Sequence, residues 1–150
     1  MKLRLQSDTL GRILHNSLYE RMMAFCEQFT PEISGQSIVS QWLTRFYTGD
    51  QNLYIFVQLD DDYKIVGHAV IDVQEMYNHK IVYCYQAQAG NGNSTFNEAM
   101  EYIDQLAQSV NAECAMFTVT KHTRTFEKKY GYKPARTVMV KNYKLEVNSE

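Results

Sequence analysis

A polar stretch at residues 86–95 carries the clearest chemical signal in this 150-residue sequence. It reads QAQAGNGNST and places Gly90 and Gly92 between an apolar run and a helical pattern. A glycine-bearing turn that runs into a helix N-terminus leaves backbone N–H groups free at the positive end of the helix dipole, and such a site binds anions. The stretch therefore predicts a phosphate-binding loop. The alternative is an ordinary strand-to-helix turn, with Thr95 and Glu98 spaced as a capping box.

Three titratable residues near the end of one predicted strand are candidates for proton transfer: His68, Asp72 and Glu75. The two-residue period of a strand places His68 and Asp72 on the same face of the sheet. A positioned carboxylate can accept the proton of an attacking amine, directly or through a water, so Asp72 and Glu75 are candidate general bases. Solvated polar positions at a strand end are the alternative interpretation.

The cysteines predict neither covalent catalysis nor a metal site. Cys26, Cys84 and Cys114 are odd in number, widely spaced and surrounded by apolar residues, which fits neither a disulfide framework nor a metal knuckle. No His, Cys or Asp spacing in the sequence resembles a metal-ligand set. We therefore expect three reduced thiols within the core.

Length and charge limit the class of protein. One hundred and fifty residues without an internal linker predict a single domain over 1–150. Fifteen Lys+Arg against 17 Asp+Glu give a net charge of −2, which disfavours nucleic acid and anionic membranes as partners, and no window is apolar enough for a membrane span. We expect a soluble, cytoplasmic protein. No Lys or Arg lies between Lys80 and Lys121, so the polar loop has no cation near it in the sequence.

Hydrophobic periodicity predicts the elements of the N-terminal half. Residues 2–6 alternate like a short strand, and Ser7 or Asp8 is placed to cap a long amphipathic helix that ends at Thr30-Pro31. A second helical pattern covers 36–47. Two β-rich runs, 53–59 and 64–73, flank an acidic turn and predict a hairpin, and a third run at 81–85 extends it to a meander.

The C-terminal half alternates helices and strands. Apolar residues at helical spacing predict a helix over 96–110, and a strand over 113–119 follows it. Because a helix separates this strand from the one before, the right-handed crossover rule makes the two parallel. A short helix over 121–129 and a last strand over 137–145 complete the order β-α-α-β-β-β-α-β-α-β.

That order, together with FEKKYGYKPARTVMVK at 126–141, resembles the GNAT-type N-acetyltransferase family, whose members carry a Phe-Tyr-Glu-Lys-x-Gly-Phe stretch before their final strands. The resemblance covers about residues 50–145. It implies an α/β fold with a central mixed, mostly antiparallel sheet and helices on both faces. It also implies acetyl transfer from acetyl-CoA, as co-substrate, to a primary amine of a small molecule or a protein, by direct attack in a ternary complex.

The resemblance also implies where acetyl-CoA would bind. Strands 81–86 and 113–119 would splay apart, and the pantetheine arm would lie in the gap against the backbone of one strand. Two registers of the loop remain open, with the family's two glycine positions on Gly90 and Gly92, or on Thr95 and Asn97. The candidate cofactor residues are Tyr85, Gln86, Ala87, Gln88, Gly90, Asn91, Gly92, Asn93, Ser94, Thr95 and Arg124.

Two residues are candidates for the acid that protonates the departing thiolate. Glu127 stands where the family has a tyrosine, and a carboxyl group there would need a raised pKa. Tyr130 is the nearest phenol. For Arg124 and Glu127, a surface salt bridge one helical turn apart is the alternative role.

A second function class competes with the enzyme. The incomplete loop motif and the replaced acid also resemble degenerate GNAT-like proteins of bacteriophages, which are catalytically inactive structural or protein-interaction components. That interpretation implies a protein partner or a homo-oligomer, located in the host cytoplasm or the virion.

Overall fold

A computed structural model of the chain describes residues 2–4, 9–90, 92–119 and 122–143. The predicted caps Ser7 and Asp8 lie outside these residues. The elements follow one another as β1 (Lys2–Arg4), α1 (Thr9–Phe29), α2 (Gly35–Tyr47), β2 (Leu53–Leu59), β3 (Ile65–Met76), β4 (His79–Gln88), α3 (Asn93–Ser109), β5 (Cys114–Phe117) and α4 (Thr123–Tyr130).

The strands form one five-stranded sheet in the order β1-β2-β3-β4-β5. Neighbouring strands are antiparallel except β4 and β5, which are parallel. The predicted hairpin, meander and parallel crossover are therefore confirmed. Helix α3 supplies the connection that a parallel pair requires.

Two hydrophobic cores lie on opposite faces of the sheet. Helices α1 and α2 bury side chains such as Met22 and Val39 against one face, and α3 and α4 bury Ile103 and Phe126 against the other. Full burial of a large apolar side chain stabilises the fold by about 1.5–3 kcal/mol. The sheet thus forms the middle of three layers, as the predicted α/β class requires.

A β-bulge interrupts β4 at Tyr85. Val70 of β3 pairs with Gln86 and the next residue, Ile71, pairs with Cys84, so Tyr85 has no partner on β3. An extra residue in one strand brings two consecutive side chains to the same face. The Tyr85 ring stacks on Trp42 of α2, and the Gln86 amide donates to a backbone carbonyl of α1, so both side chains point into the same helical layer.

Two details of the predicted elements are wrong. Residues 131–143 form no regular element although a strand is predicted over 137–145, and the part beyond 143 lies outside the described residues. Val138, Met139 and Val140 are 69%, 91% and 56% exposed. Their pattern suits a strand, but a strand also needs a hydrogen-bonded neighbour, and this segment contacts none in the described chain. The polar loop is also shorter than predicted, because Gln86, Ala87 and Gln88 belong to β4.

Among the described residues, no helix has the length and apolar character to cross a membrane.

Candidate active site

Strands β4 and β5 separate partway along their length. They pair only from Ile81–Cys84 against Cys114–Phe117, after which β5 ends and β4 continues to Gln88. Beyond the bulge at Tyr85, β4 pairs with β3 alone among the described strands. The backbone groups of residues 85–88 that point away from β3 therefore form an open strand edge.

The open edge leads to the N-terminus of α3. Gly92 is the N-cap residue, has φ +104 and makes no side-chain capping bond. A helix leaves its first N–H groups without intrahelical partners, so this end can receive an anion. Thr95 lies three residues further on, where its hydroxyl is 2.7 Å from the Gly90 carbonyl oxygen and 2.8 Å from that of Gly92. The predicted capping box is wrong, because Thr95 is inside the helix and holds the loop.

The side chain of Gln58 forms hydrogen bonds with both ends of this loop. Its Oε1 accepts the Gly90 N–H at 2.9 Å, and its Nε2 donates to the Thr95 carbonyl at 2.9 Å. The N–H of Gly90 is therefore already used and is not available to a phosphate. Gly67 lies opposite Gln58 on β3, where a Cβ would come within 2.2 Å of Gln58 Oε1.

Sequence reasoning missed Gln58. The available signal was a buried amide in an otherwise apolar strand, LYIFVQL, opposite a glycine.

Arg21 of α1 brings a positive charge to the end of β4. Its guanidinium donates to Gln88 Oε1 at 3.1 Å and to the Val66 carbonyl at 3.3 Å. Burial lowers the pKa of Arg21 below its usual value. The Arg21 guanidinium thus binds Gln88, two residues before Gly90, although no basic residue is near the loop in the sequence. Nothing in the sequence spacing points to this contact.

A cleft opens between α2 and the bulged part of β4, on the face of the sheet that α1 and α2 cover. We call it the α2 cleft; its volume is about 360 Å³. Helix α2 contributes side chains at i, i+3, i+4 and i+7, which share one helical face. The residues that line the cleft are Phe25, Thr30, Ile38, Gln41, Trp42, Arg45, Tyr83, Tyr85, Gln86 and Thr118.

A charged network supports the α2 cleft. Arg45 binds both oxygens of Asp72, at 2.9 and 3.0 Å, and also Asp50 at 2.8 Å, while the Tyr85 hydroxyl donates to Asp72 at 2.9 Å. Burial alone would raise the pKa of Asp72, but the hydrogen bonds from Arg45 and Tyr85 outweigh it and the net pKa lies below the usual value. Asp72 is therefore a charged anchor for the Tyr85 ring.

The sequence matches no family model and no curated protein. Solved structures do match. Glucosamine-6-phosphate N-acetyltransferase from Arabidopsis thaliana has a TM-score of 0.68 at 11% identity, covering 96% of this chain and 98% of that one. This chain has the GNAT-type N-acetyltransferase fold.

Two further structures extend the comparison. An aminoglycoside acetyltransferase from an uncultured soil metagenomic sample, in complex with sisomicin, has a TM-score of 0.65 at 17% identity, covering 97% of this chain and 96% of that one. A predicted acetyltransferase with acetyl-CoA from Clostridium acetobutylicum has a TM-score of 0.65 at 16% identity, covering 95% and 96%. The fold class predicted from the sequence, including its GNAT type, is thus confirmed.

A buried polar network lies next to the bulge of the GNAT sheet. His68 Nε2 is 2.9 Å from Gln86 Oε1, and the Gln86 amide donates to the Met22 carbonyl at 3.1 Å and reaches Cys26 Sγ at 3.2 Å. Burial lowers the pKa of His68 to about 4, so the ring is neutral at pH 7. Since the Gln86 oxygen accepts, Nε2 carries the proton.

The predicted shared face of His68 and Asp72 is confirmed. Both side chains point toward the α1/α2 layer, where they contact Gln86 and Arg45 respectively. They are 3% and 6% exposed, so the alternative of solvated positions is wrong for this pair. Glu75, by contrast, is exposed near the far end of β3.

The two candidate acids of the GNAT fold differ in their surroundings. Tyr130 donates a hydrogen bond to the Asn97 side chain in the first two turns of α3, and its ring contacts Phe96. Glu127 and Arg124 are exposed on α4. The fold therefore brings Tyr130, but not these two residues, into contact with the start of α3.

The remaining candidate cofactor residues follow the chain from β4 into α3. Ala87 and Gln88 end β4, Gly90 and Gly92 form the turn, and Asn93 and Ser94 begin α3; Asn91 lies outside the described residues. Since α3 begins at Asn93, Thr95 and Asn97 already belong to the helix. The glycine positions of the turn are Gly90 and Gly92.

Proposed function

We propose that this protein is an acetyl-CoA-dependent N-acetyltransferase that acetylates a primary amine. The observation that carries this proposal is the open edge of β4 at 85–88, which leads directly to the N-terminus of α3, where the N-cap residue is Gly92. An extended chain with amide groups can add to an open strand edge, and a pyrophosphate can bind at a helix N-terminus. Acetyl-CoA has both parts in this order.

Each part of the cofactor has a proposed partner. The backbone of Tyr85, Gln86 and Ala87 binds the pantetheine amides. The N–H groups of Gly92, Asn93 and Ser94, at the start of α3, bind the pyrophosphate. Arg21 and Gln88 lie at the same end of β4 and supply a cation and an amide, while Arg124 on exposed α4 is available to an outer phosphate.

The amine approaches from the α2 cleft, on the opposite side of the gap. Its nitrogen attacks the thioester carbonyl carbon, a C–N bond forms, and the C–S bond breaks as the thiolate leaves. Asp72 and Glu75 are the candidate acceptors for the amine proton. The lowered pKa of Asp72 makes it a weak base, and its contacts favour a role in holding Tyr85.

Tyr130 and Glu127 are the candidate proton donors to the thiolate. The contact of Tyr130 with Asn97, beside the proposed cofactor-binding loop, favours it over Glu127, which is exposed. The same contact holds the phenol in place.

Calorimetric titration of the purified protein with acetyl-CoA tests the proposal. Binding to the native state raises the melting temperature as well as releasing heat, so both readings should respond. Desulfo-CoA, which retains the pantetheine and pyrophosphate, should also bind. No heat and no thermal shift with millimolar acetyl-CoA would overturn the proposed function.

The exposed apolar residues Val138, Met139 and Tyr143 favour a second candidate function. Large apolar side chains exposed in this way suit a protein-binding scaffold with the GNAT fold. A scaffold would bind no acetyl-CoA, so the same titration separates the two functions.

A further inference from the structure

Four of the ten residues that line the α2 cleft are aromatic: Phe25, Trp42, Tyr83 and Tyr85. The rings of Trp42 and Tyr85 stack with centroids 5.0 Å apart and an interplanar angle of 29°, and Tyr83 lies 5.0 Å from Tyr85. Tyr83 and Tyr85 are half-buried, so part of each ring faces the cleft. Aromatic walls favour a flat, apolar group, because stacking adds to the energy of burial.

The charges around the cleft are already paired. Arg45 is the charged side chain among the described lining residues, and its guanidinium binds Asp72 through two hydrogen bonds and Asp50 through a third. Both nearby carboxylates are thus engaged by the same cation. A ligand with several ammonium groups would find no unpaired carboxylate on the described walls, and a phosphate would find no unpaired cation.

The volume of the cleft, about 360 Å³, is at the small end for ligand sites. It can hold one ring and a short chain, and it adjoins the gap where β4 and β5 separate, because Tyr85 of β4 and Thr118, which follows β5, both line it. An amine attached to the ring through one or two methylene groups would reach toward that gap. While the amine is protonated, its attraction to the faces of the aromatic rings adds to the binding energy.

We infer that the acceptor is a small arylalkylamine, with one aromatic ring packed against Tyr83 and Tyr85. This inference rests on the function proposed above and specifies its substrate class. The neutral alkyl amine forms a C–N bond to the acetyl carbon as the C–S bond breaks, and its proton ends on the CoA sulfur, so the products are an N-acetyl arylalkylamine and free CoA.

The single tryptophan of the chain, Trp42, reports binding without any turnover. Titration with 2-phenylethylamine should change its fluorescence saturably. Sisomicin and glucosamine 6-phosphate, as a polycationic and an anionic amine, should bind at least about tenfold more weakly. Equal or tighter binding of either compound would overturn the inference.

Substitutions at Tyr83 distinguish the loss of ring stacking from a loss of protein stability. Tyr83→Ala should weaken 2-phenylethylamine binding about tenfold, while Tyr83→Phe retains the ring and should stay within about twofold. Tyr143→Ala, at an exposed tyrosine outside the cleft, is the matched control. Unchanged binding in Tyr83→Ala, with an unchanged melting temperature, would contradict the assignment.

The fluorescence titration tests the substrate class, and the acetyl-CoA titration tests the proposed function, so either proposal can be overturned without the other. Binding of acetyl-CoA with transfer to sisomicin but not to 2-phenylethylamine would overturn the inference and leave the proposed function intact. Binding of 2-phenylethylamine without any binding of acetyl-CoA would overturn the function.

Discussion

Gln58 and Gly90 are joined by a hydrogen bond of 2.9 Å from the Gly90 N–H to the Gln58 side-chain oxygen, across 32 residues of sequence. The same amide binds the Thr95 carbonyl. One buried side chain of β2 therefore sets the shape of the loop that would surround the pyrophosphate.

Gln58→Leu should loosen the loop. The substitution leaves the Gly90 N–H without its acceptor and removes one donor to the Thr95 carbonyl, and an unsatisfied buried N–H costs about 1–3 kcal/mol. We expect a lower free energy of unfolding in urea and at least about tenfold weaker acetyl-CoA binding. Gln108→Leu, at an exposed glutamine of α3, should change neither quantity. Acetyl-CoA affinity equal to wild type in Gln58→Leu would remove Gln58 from the site.

Gly67→Ala should destabilise the fold by steric conflict. The added Cβ would lie 2.2 Å from Gln58 Oε1, 2.8 Å from the Gln88 carbonyl oxygen and 2.9 Å from the Gly90 nitrogen. Forcing a methyl group into such a space costs about 1–3 kcal/mol, measured as a fall in the free energy of unfolding. In a Gln58→Ala background the first conflict disappears, but the two backbone conflicts remain. The cost of Gly67→Ala should therefore shrink in that background without vanishing.

His68 makes stability depend on pH. Burial lowers the pKa of His68 from 6.5 to about 4, so the unfolded chain binds its proton more readily than the folded protein. The stability that depends on a neutral His68 is fully present above pH 6.5 and is lost as the pH falls toward 4. Between pH 7 and pH 5 the loss is about 2 kcal/mol. His68→Asn, which cannot titrate, should show a flatter urea stability profile over this interval, whereas parallel profiles would contradict the account.

Tyr130→Phe should slow acetyl transfer if the phenol protonates the thiolate. General acids contribute about 100-fold or more, so kcat should fall by that factor while acetyl-CoA binding stays unchanged. Glu127→Gln, one turn earlier on the same helix, should keep kcat within about twofold. The reverse pattern would assign the acid role to Glu127.

Local patterns predicted most of the fold, because helices and hairpins depend on neighbouring residues. The stripe of α3 and the meander around Asp60–Asp62 follow from periodicity and turn residues alone. The strand expected over 137–145 did not form in its described part, because alternation records amphipathic character and not the presence of a neighbouring strand.

The site was predicted only in part, for a related reason. The loop residues Gly90 and Gly92 are contiguous and visible in the sequence. Their supports are not, because Gln58 and Arg21 reach the loop across 32 and 67 residues. Contacts of that range depend on the folded sheet, and no single-sequence spacing encodes them.

The bulge at Tyr85 also determines where the chain can change its length. Deleting Tyr85 would restore a regular ladder, with Ile71 still opposite Cys84 and Val70 still opposite Gln86. The ring that stacks on Trp42 and its hydrogen bond to Asp72 would be lost, and with them one wall of the α2 cleft. Insertions at the exposed turn around Asp61 would meet no such penalty. Among natural variants of this chain, we therefore expect length changes at that turn and none within β4.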